Sequence, residues 1–218
     1  MFQVKICGIT SVEDARVVAQ SGADAVGLNF YAHSPRHISP ETAARIIAAL
    51  PTEIVKVGLF VDTPAAEICR LFDLLHLHLI QLHGDQPPEF LAQLGGRPVM
   101  RAFRIGNAGL QPVTEYLDRC RDLAAWPKLV LLDALVAGTY GGTGKLTNWD
   151  LAHQFAADAT MPPLVLAGGL TPENVAQAIQ AVAPTAVDTA SGVEDRPGQK
   201  DPAAVARFVT AARQAFGR

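Results

Sequence analysis

The stretch QVKICGITSVEDARVVAQSGADAVGLNF, residues 3–30, holds a complete strand–loop–helix–strand unit, and the repetition of that unit decides the fold. Gln3 to Cys7 is a short β-branched run closed by Gly8, and Ala25 to Phe30 is a second apolar run. Between them, Ser11 followed by Asp14 marks the start of a helix. Side chains alternate along a strand, so Gln3, Lys5 and Cys7 share one side while Val4 and Ile6 face the helices. Lys5 is thereby expected inside the fold, below Cys7. Free cysteines usually end as small buried hydrophobes, but a thiol where a strand passes into a loop is also where a reactive group belongs.

The same alternation continues to the C-terminus. Further strand candidates are Ile54 to Phe60, Leu77 to Leu82, Val99 to Arg104, Leu129 to Asp133, Leu164 to Ala167 and Ala186 to Asp188, which brings the total to eight. Alanine-rich amphipathic stretches separate them. Several open with a cap residue followed by proline: Ser39-Pro40, Thr63-Pro64, Thr171-Pro172 and Asp201-Pro202. Strict strand–helix alternation implies parallel strands joined by right-handed crossovers. Eight units close into a single (β/α)8 barrel, the TIM-barrel architecture, where five or six would leave an open sheet. No linker, low-complexity tract or charge block divides the chain, so residues 1–218 are read as one domain.

Composition narrows the partners. Hydrophobic residues make up 49% of the 218 and charged residues 18%, as in globular proteins. A net charge of -3 offers no basic footprint, so nucleic acid is not an expected partner. The three cysteines, Cys7, Cys69 and Cys120, are odd in number and widely spaced, which suits a reducing compartment and neither a disulfide framework nor a zinc knuckle. The first strand starts close to Met1 and no apolar run reaches about 18 residues, so neither a leader nor a membrane span is expected. The expectation is a cytoplasmic enzyme.

A barrel's active face lies at the C-terminal ends of its strands. Polar residues finish four of them: Cys7, His83, Asp133 and Asp188. Glycine-bearing segments follow the seventh and eighth strands, in Ala167-Gly168-Gly169-Leu170 and Ser191-Gly192-Val193-Glu194. Loops at those two places, with the N-terminus of a short extra helix, form the usual phosphate site of this fold. Gly168, Gly169, Ser191 and Gly192 are therefore candidates to hold a phosphate. A third glycine cluster, Gly138 to Lys145, is read as a cover over the site and not as a nucleotide loop, because Leu146 stands where Ser or Thr would be needed. His76 and His78 share one face of a predicted strand and His83 the other, and no carboxylates sit at ligand spacing, so no metal site is expected. Arg36, in the long loop after the second strand, could grip a carboxylate in a bidentate fork. Cys69 and Cys120 fall in predicted helices as packing residues.

Taken in order, these segments resemble the phosphoribosylanthranilate isomerase family over essentially the whole chain. The motifs that carry the resemblance are Lys5 to Thr10, Ser34-Pro35-Arg36, Gly58 to Val61, Gln81 to Gly84, Leu132-Asp133 followed by Gly141 to Gly144, Ala167 to Leu170, and Asp188 with Ser191 to Glu194 and Gly198-x-Lys200-Asp201. One departure is Leu146-Thr147-Asn148-Trp149, where the family usually has an aromatic and an acidic residue before the tryptophan. The resemblance implies a (β/α)8 barrel that performs an Amadori rearrangement of N-(5-phosphoribosyl)anthranilate in tryptophan biosynthesis, without a cofactor. It implies Cys7 as general base, Asp133 as general acid and Arg36 as a clamp on the anthranilate carboxylate. Gly169, Ser191 and Gly192 would hold the phosphate, with His83 and Asp188 near the substrate. The partner is then a small phosphorylated molecule, and the chain a monomer or homodimer. Two rivals stay open: another phosphate-binding barrel of amino-acid biosynthesis, and a non-catalytic barrel that binds a phosphorylated metabolite.

Overall fold

The computed structural model describes residues 2–105, 109–134 and 148–217. The chain alternates β1 (Val4–Cys7), α1 (Val12–Gln20), β2 (Ala25–Asn29), α2 (Pro40–Ala48), β3 (Val55–Phe60), α3 (Ala65–Leu74), β4 (Leu79–Leu82) and α4 (Pro88–Ala92). It continues through β5 (Val99–Ile105), α5 (Gln111–Asp122), β6 (Leu129–Ala134), α6 (Trp149–Ala157), β7 (Leu164–Leu166), α7 (Val175–Val182) and β8 (Ala186–Thr189). The eight strands form a closed parallel barrel in sequence order, shut by β1 against β8 with Lys5 opposite Asp188. After β8 come a three-residue 3-10 turn (Ser191–Val193), a small antiparallel hairpin of β9 (Glu194–Arg196) and β10 (Gln199–Lys200), and α8 (Pro202–Ala215).

Strands buried on both faces need apolar residues at nearly every position, which is why these runs lack a polar side. The outward residues, such as Val4, Ile6, Val26, Leu28, Ile80, Leu82, Val130 and Leu132, pack with the helices in one large core. The inward residues form a second core at the base of the barrel from Phe2, Ala25, Val57, Leu79, Met100, Ala102, Leu129, Leu131 and Val165. Toward the C-terminal ends the inward positions turn polar, with Lys5, Gln81, His83, Asp133 and Asp188 all buried. Charge buried at that level must serve the upper end of the barrel, since the lower end is filled with hydrocarbon.

Caps follow the sequence signals in part. Ser11 accepts from Asp14 N at 3.0 Å, Ser39 accepts from Thr42 N at 3.2 Å ahead of Pro40, and Asp201 accepts from Ala203 N at 2.8 Å ahead of Pro202. At Thr63-Pro64 the helix begins one residue later than expected, and Pro64 itself sits at the cap with no side-chain bond. At Thr171-Pro172 the helix waits until Val175. There the Asn174 side chain is spent on the preceding loop, taking Thr171 N at 2.8 Å and giving to Gly169 O at 2.9 Å.

Two further differences have local causes. β4 begins at Leu79, so His76 and His78 precede the strand they were expected to share. His76 adopts φ 48° in the turn after α3, and His78 Nδ1 accepts from Lys56 N at 3.2 Å. Arg101 interrupts the apolar run of β5 without ending it. It faces outward, donates to Leu82 O at 3.1 Å and Ala102 O at 2.7 Å, and lies 5.0 Å from the ring centroids of both Phe103 and Tyr116. Cys120 is fully buried in the outer core and Cys69 packs against it, as expected of packing residues. No helix among the described residues is long and apolar enough to cross a membrane.

Candidate active site

At the C-terminal end of the barrel lies a cavity of ≈ 340 Å³. Its wall brings together Cys7, Arg36, His83, Asp133, Gly168, Gly169, Asp188 and Ser191, eight of the nine residues singled out from sequence. The ninth, Gly192, sits directly behind Ser191. The glycine cluster from Gly138 to Lys145, expected as a cover, lies outside the described residues.

Cys7 ends β1 and is 6% exposed, packed with Leu59, Val61, Tyr31 and Ala190. Beside it, opposite in register on β2, is Gly27. A Cβ on Gly27 would lie 2.5 Å from Cys7 Sγ, so the thiol occupies space that any other residue would fill. Sequence reasoning missed this glycine, although its place in an otherwise branched apolar strand was a signal that something approaches the backbone there. Burial pushes the Cys7 thiol above the ordinary cysteine range, while Lys5 and Lys200 pull the other way and Asp188 adds to the rise.

Lys5 is wholly buried beneath Cys7, as expected, but its charge is already engaged. Its Nζ lies 2.9 Å from Asp188 Oδ1, with side chains 0% and 8% exposed. Burial works against this ammonium, yet Asp188 and Cys7 hold its pKa above that of an ordinary lysine. Lys5 is thus a paired charge inside the barrel: its ammonium favours the Cys7 thiolate and the Asp188 carboxylate works against it.

Asp133 lies one residue before the end of β6, three strands from β1 around the ring. His83, just past β4, places Nε2 3.4 Å from Asp133 Oδ2, and its Nδ1 faces Gln81 Nε2 at 3.2 Å. With the Gln81 amide donating to Nδ1, the imidazole proton is left on Nε2, 3.4 Å from the carboxylate but outside hydrogen-bond geometry. Gln81 lies two residues before His83 on the same inward face, a second positioning group that sequence reasoning left unassigned.

The phosphate candidates gather as the order of strands required. Gly168 and Gly169 take φ 87° and 66°, left-handed values that glycine adopts without strain. Among the described residues their N–H groups make no hydrogen bond within the chain. The expected short helix is the single 3-10 turn from Ser191. The two loops touch: Thr189 Oγ1 donates to Leu170 O at 2.7 Å, and a Cβ on Gly192 would fall 1.9 Å from that same carbonyl oxygen. Gly192→Ala must therefore push the loops apart. The variant is expected to raise KM about tenfold or more while changing kcat less, since one charge-assisted hydrogen bond to a bound phosphate is worth roughly 1.5–3 kcal/mol. Steady-state kinetics on folded protein measures this.

Arg36 lines the cavity but does not reach into it unpartnered. Its Nε donates to Glu194 Oε1 at 2.9 Å and its Nη2 to Glu194 Oε2 at 2.6 Å, a bidentate fork of the expected kind closed on a protein carboxylate. Nη1 lies outside that fork. The Glu194 hairpin was not foreseen, because β9 and β10 are three and two residues long and carry no apolar alternation. Its turn is built by Pro197 and by Gly198 at φ 82°.

With this geometry in hand, comparison with known proteins is informative. A family model described as N-(5'phosphoribosyl)anthranilate (PRA) isomerase matches residues 4–211. The N-(5'-phosphoribosyl)anthranilate isomerase of Geobacter sulfurreducens is 49% identical over 214 residues, covering 98% of this chain and 99% of that one. The crystal structure of phosphoribosyl anthranilate isomerase from Thermotoga maritima superposes with a TM-score of 0.84 at 38% identity, covering 98% of this chain and 100% of that one. Another structure, of a phosphoribosyl anthranilate isomerase in complex with reduced 1-(o-carboxyphenylamino)-1-deoxyribulose 5-phosphate, matches with a TM-score of 0.81 at 37% identity, over 98% of this chain and 100% of that one.

Proposed function

This chain belongs to the N-(5'-phosphoribosyl)anthranilate isomerase family, and from that premise we propose that Cys7 and Asp133 are the base and acid of its reaction. The enzyme converts N-(5'-phosphoribosyl)anthranilate to 1-(2-carboxyphenylamino)-1-deoxyribulose 5-phosphate in tryptophan biosynthesis. The observation that carries the proposal is the shared cavity, in which a thiol on β1 and a carboxyl on β6 face one enclosed space beside the glycine loops after β7 and β8.

The chemistry needs both groups. Opening the ribose ring requires a proton on the ring oxygen as the anthranilate nitrogen pushes electrons into C1, forming an iminium. Asp133 gives that proton. The iminium makes the C2 hydrogen acidic, and the Cys7 thiolate removes it to leave a neutral enolamine. Tautomerisation to the ketone moves a proton from the C2 hydroxyl to C1 and leaves the count unchanged. One proton has then passed from Asp133 to Cys7, and exchange with solvent resets the pair.

In the same reading, Gly168, Gly169, Ser191 and Gly192 bind the phosphate through backbone N–H groups, which hold an anion without a mobile side chain. Arg36 meets the anthranilate carboxylate, and Glu194 fixes its plane beforehand. His83 orients Asp133, and Asp188 faces the sugar. The chain acts as one domain in the cytoplasm, as a monomer or homodimer. The free thiols of Cys7, Cys69 and Cys120 support a reducing compartment, and the Thermotoga maritima relative is described as dimeric. The test is a fluorescence assay of N-(5'-phosphoribosyl)anthranilate generated in situ. Rapid signal loss with the purified chain is expected, and tight binding without turnover would instead favour a non-catalytic barrel.

A further inference from the structure

We infer that Lys200 is a positioning residue for Cys7: with Glu194 and Arg36 it forms a buried cluster of one net positive charge that favours the thiolate. The inference rests on the reading of Cys7 as the base and names the source of the potential that this base requires.

Lys5 favours the thiolate most directly, but Asp188, 2.9 Å from its Nζ, works against it at the same thiol. The hairpin supplies the excess. Glu194 Oε1 accepts from Arg36 Nε at 2.9 Å and from Lys200 Nζ at 2.8 Å, and Glu194 Oε2 accepts from Arg36 Nη2 at 2.6 Å. Two cations share one carboxylate. The side chains are 10%, 4% and 0% exposed for Arg36, Glu194 and Lys200, so water does little to screen the remaining charge; burial also pulls the Lys200 pKa below the ordinary lysine range, and the Glu194 carboxylate holds against that fall.

The cluster is built against the thiol's own strand. Arg36 Cδ fills the space where a Cβ on Gly8, the residue after Cys7, would lie 2.4 Å away. Lys200 Nζ also donates to Ala190 O at 3.1 Å, and Ala190 packs on the group formed by Cys7, Leu59 and Val61. The Lys200 backbone N–H donates to Asp14 Oδ2 of α1 at 3.4 Å, so a second carboxylate lies near the hairpin, on the Lys200 backbone and not on its ammonium. Charged and titratable groups face Cys7 from every side: Lys5 on β1, Asp188 on β8, Arg36 after β2, Glu194 and Lys200 on the hairpin, and His83 and Asp133 across the cavity. Asp188 offsets part of what Lys5 does at the thiol, and the hairpin cluster adds its net positive charge to what is left. The same arrangement explains why Ser191 to Glu194 and Gly198-x-Lys200 stand together as motifs although only Ser191 and Gly192 belong to the phosphate loops.

Alkylation of Cys7 by iodoacetamide, followed against pH by peptide mass spectrometry on the full chain, reads the thiol directly. In Lys200→Met the cluster becomes neutral, and the Cys7 alkylation rate at neutral pH is expected to fall about tenfold, with the alkaline rise of kcat/KM moving to higher pH in parallel. Lys200→Arg is expected to restore both. Glu194→Gln leaves two uncompensated cations and is expected to move the thiol the opposite way, toward faster alkylation. A purely structural role would change both variants in the same direction by opening the site, and that result, or an unchanged Cys7 titration in Lys200→Met, overturns the inference. Should Lys200→Met not fold, Glu194→Gln decides by the sign of its shift. Full turnover by Cys7→Ser would remove the base reading itself. An inactive Cys7→Ser together with an unmoved thiol in Lys200→Met would remove only the role of Lys200.

Discussion

Cys7→Ser is expected to lower turnover by about 10²–10⁴-fold, and Asp133→Asn by a comparable factor, because each removes one of the two proton transfers and leaves the other intact. A serine hydroxyl keeps the size and place of the thiol, and Gly27 leaves it room, yet it ionises far less readily. Asparagine keeps the shape of the carboxyl and can still meet His83, but it has no proton to give to the ring oxygen. Phosphate and carboxylate contacts lie elsewhere on the cavity wall, so KM should move much less than kcat in both variants. Circular dichroism on each would show that the barrel is closed. Near wild-type turnover in either folded variant would strike that residue from the mechanism.

The second large effect concerns stability. Lys5→Met is expected to destabilise the barrel by about 3–5 kcal/mol, because it leaves Asp188 buried without its partner. Both groups sit among inward side chains of a barrel whose lower half is hydrocarbon, and the pair crosses the β1–β8 seam that closes the ring. Pairing Lys5→Met with Asp188→Leu removes the stranded charge and should recover much of the loss, as replacement of whole buried ion pairs by hydrocarbon commonly does. Urea denaturation of the single and double variants measures both terms. A single variant as stable as the parent would mean that the pair adds nothing to closure of the barrel.

The architecture was legible because parallel strands buried on both faces must be short and apolar, and eight such runs alternate with capped helices. Observed strand boundaries differ from the expected ones by two residues at most, as at Leu77 against Leu79, where a left-handed turn at His76 delays β4. The site was legible where position in the fold assigns chemistry: polar residues at strand ends and glycines in the loops after β7 and β8. It was less legible where chemistry depends on pairing across the barrel. Nothing in the spacing of Lys5 and Asp188, or of Arg36, Glu194 and Lys200, tells that the first group is neutral and the second is not, since those charges are separated by 158 residues or more along most of the relevant contacts. The β9–β10 hairpin was missed for a related reason. Its strands are too short to show a period, and its purpose is to carry two charged side chains to Arg36 in the loop after β2.

The central claim, that Cys7 takes the C2 proton and Asp133 protonates the ring oxygen, is tested most directly by a substrate deuterated at C2 in single-turnover reactions of both variants. If Cys7 is the base, Cys7→Ser makes removal of the C2 hydrogen the slow step, and the deuterium isotope effect should rise above that of the wild-type enzyme. In Asp133→Asn the slow step becomes ring opening, before that bond breaks, and the isotope effect should shrink toward unity. The reverse order, or equal effects in the two variants, would contradict the assignment.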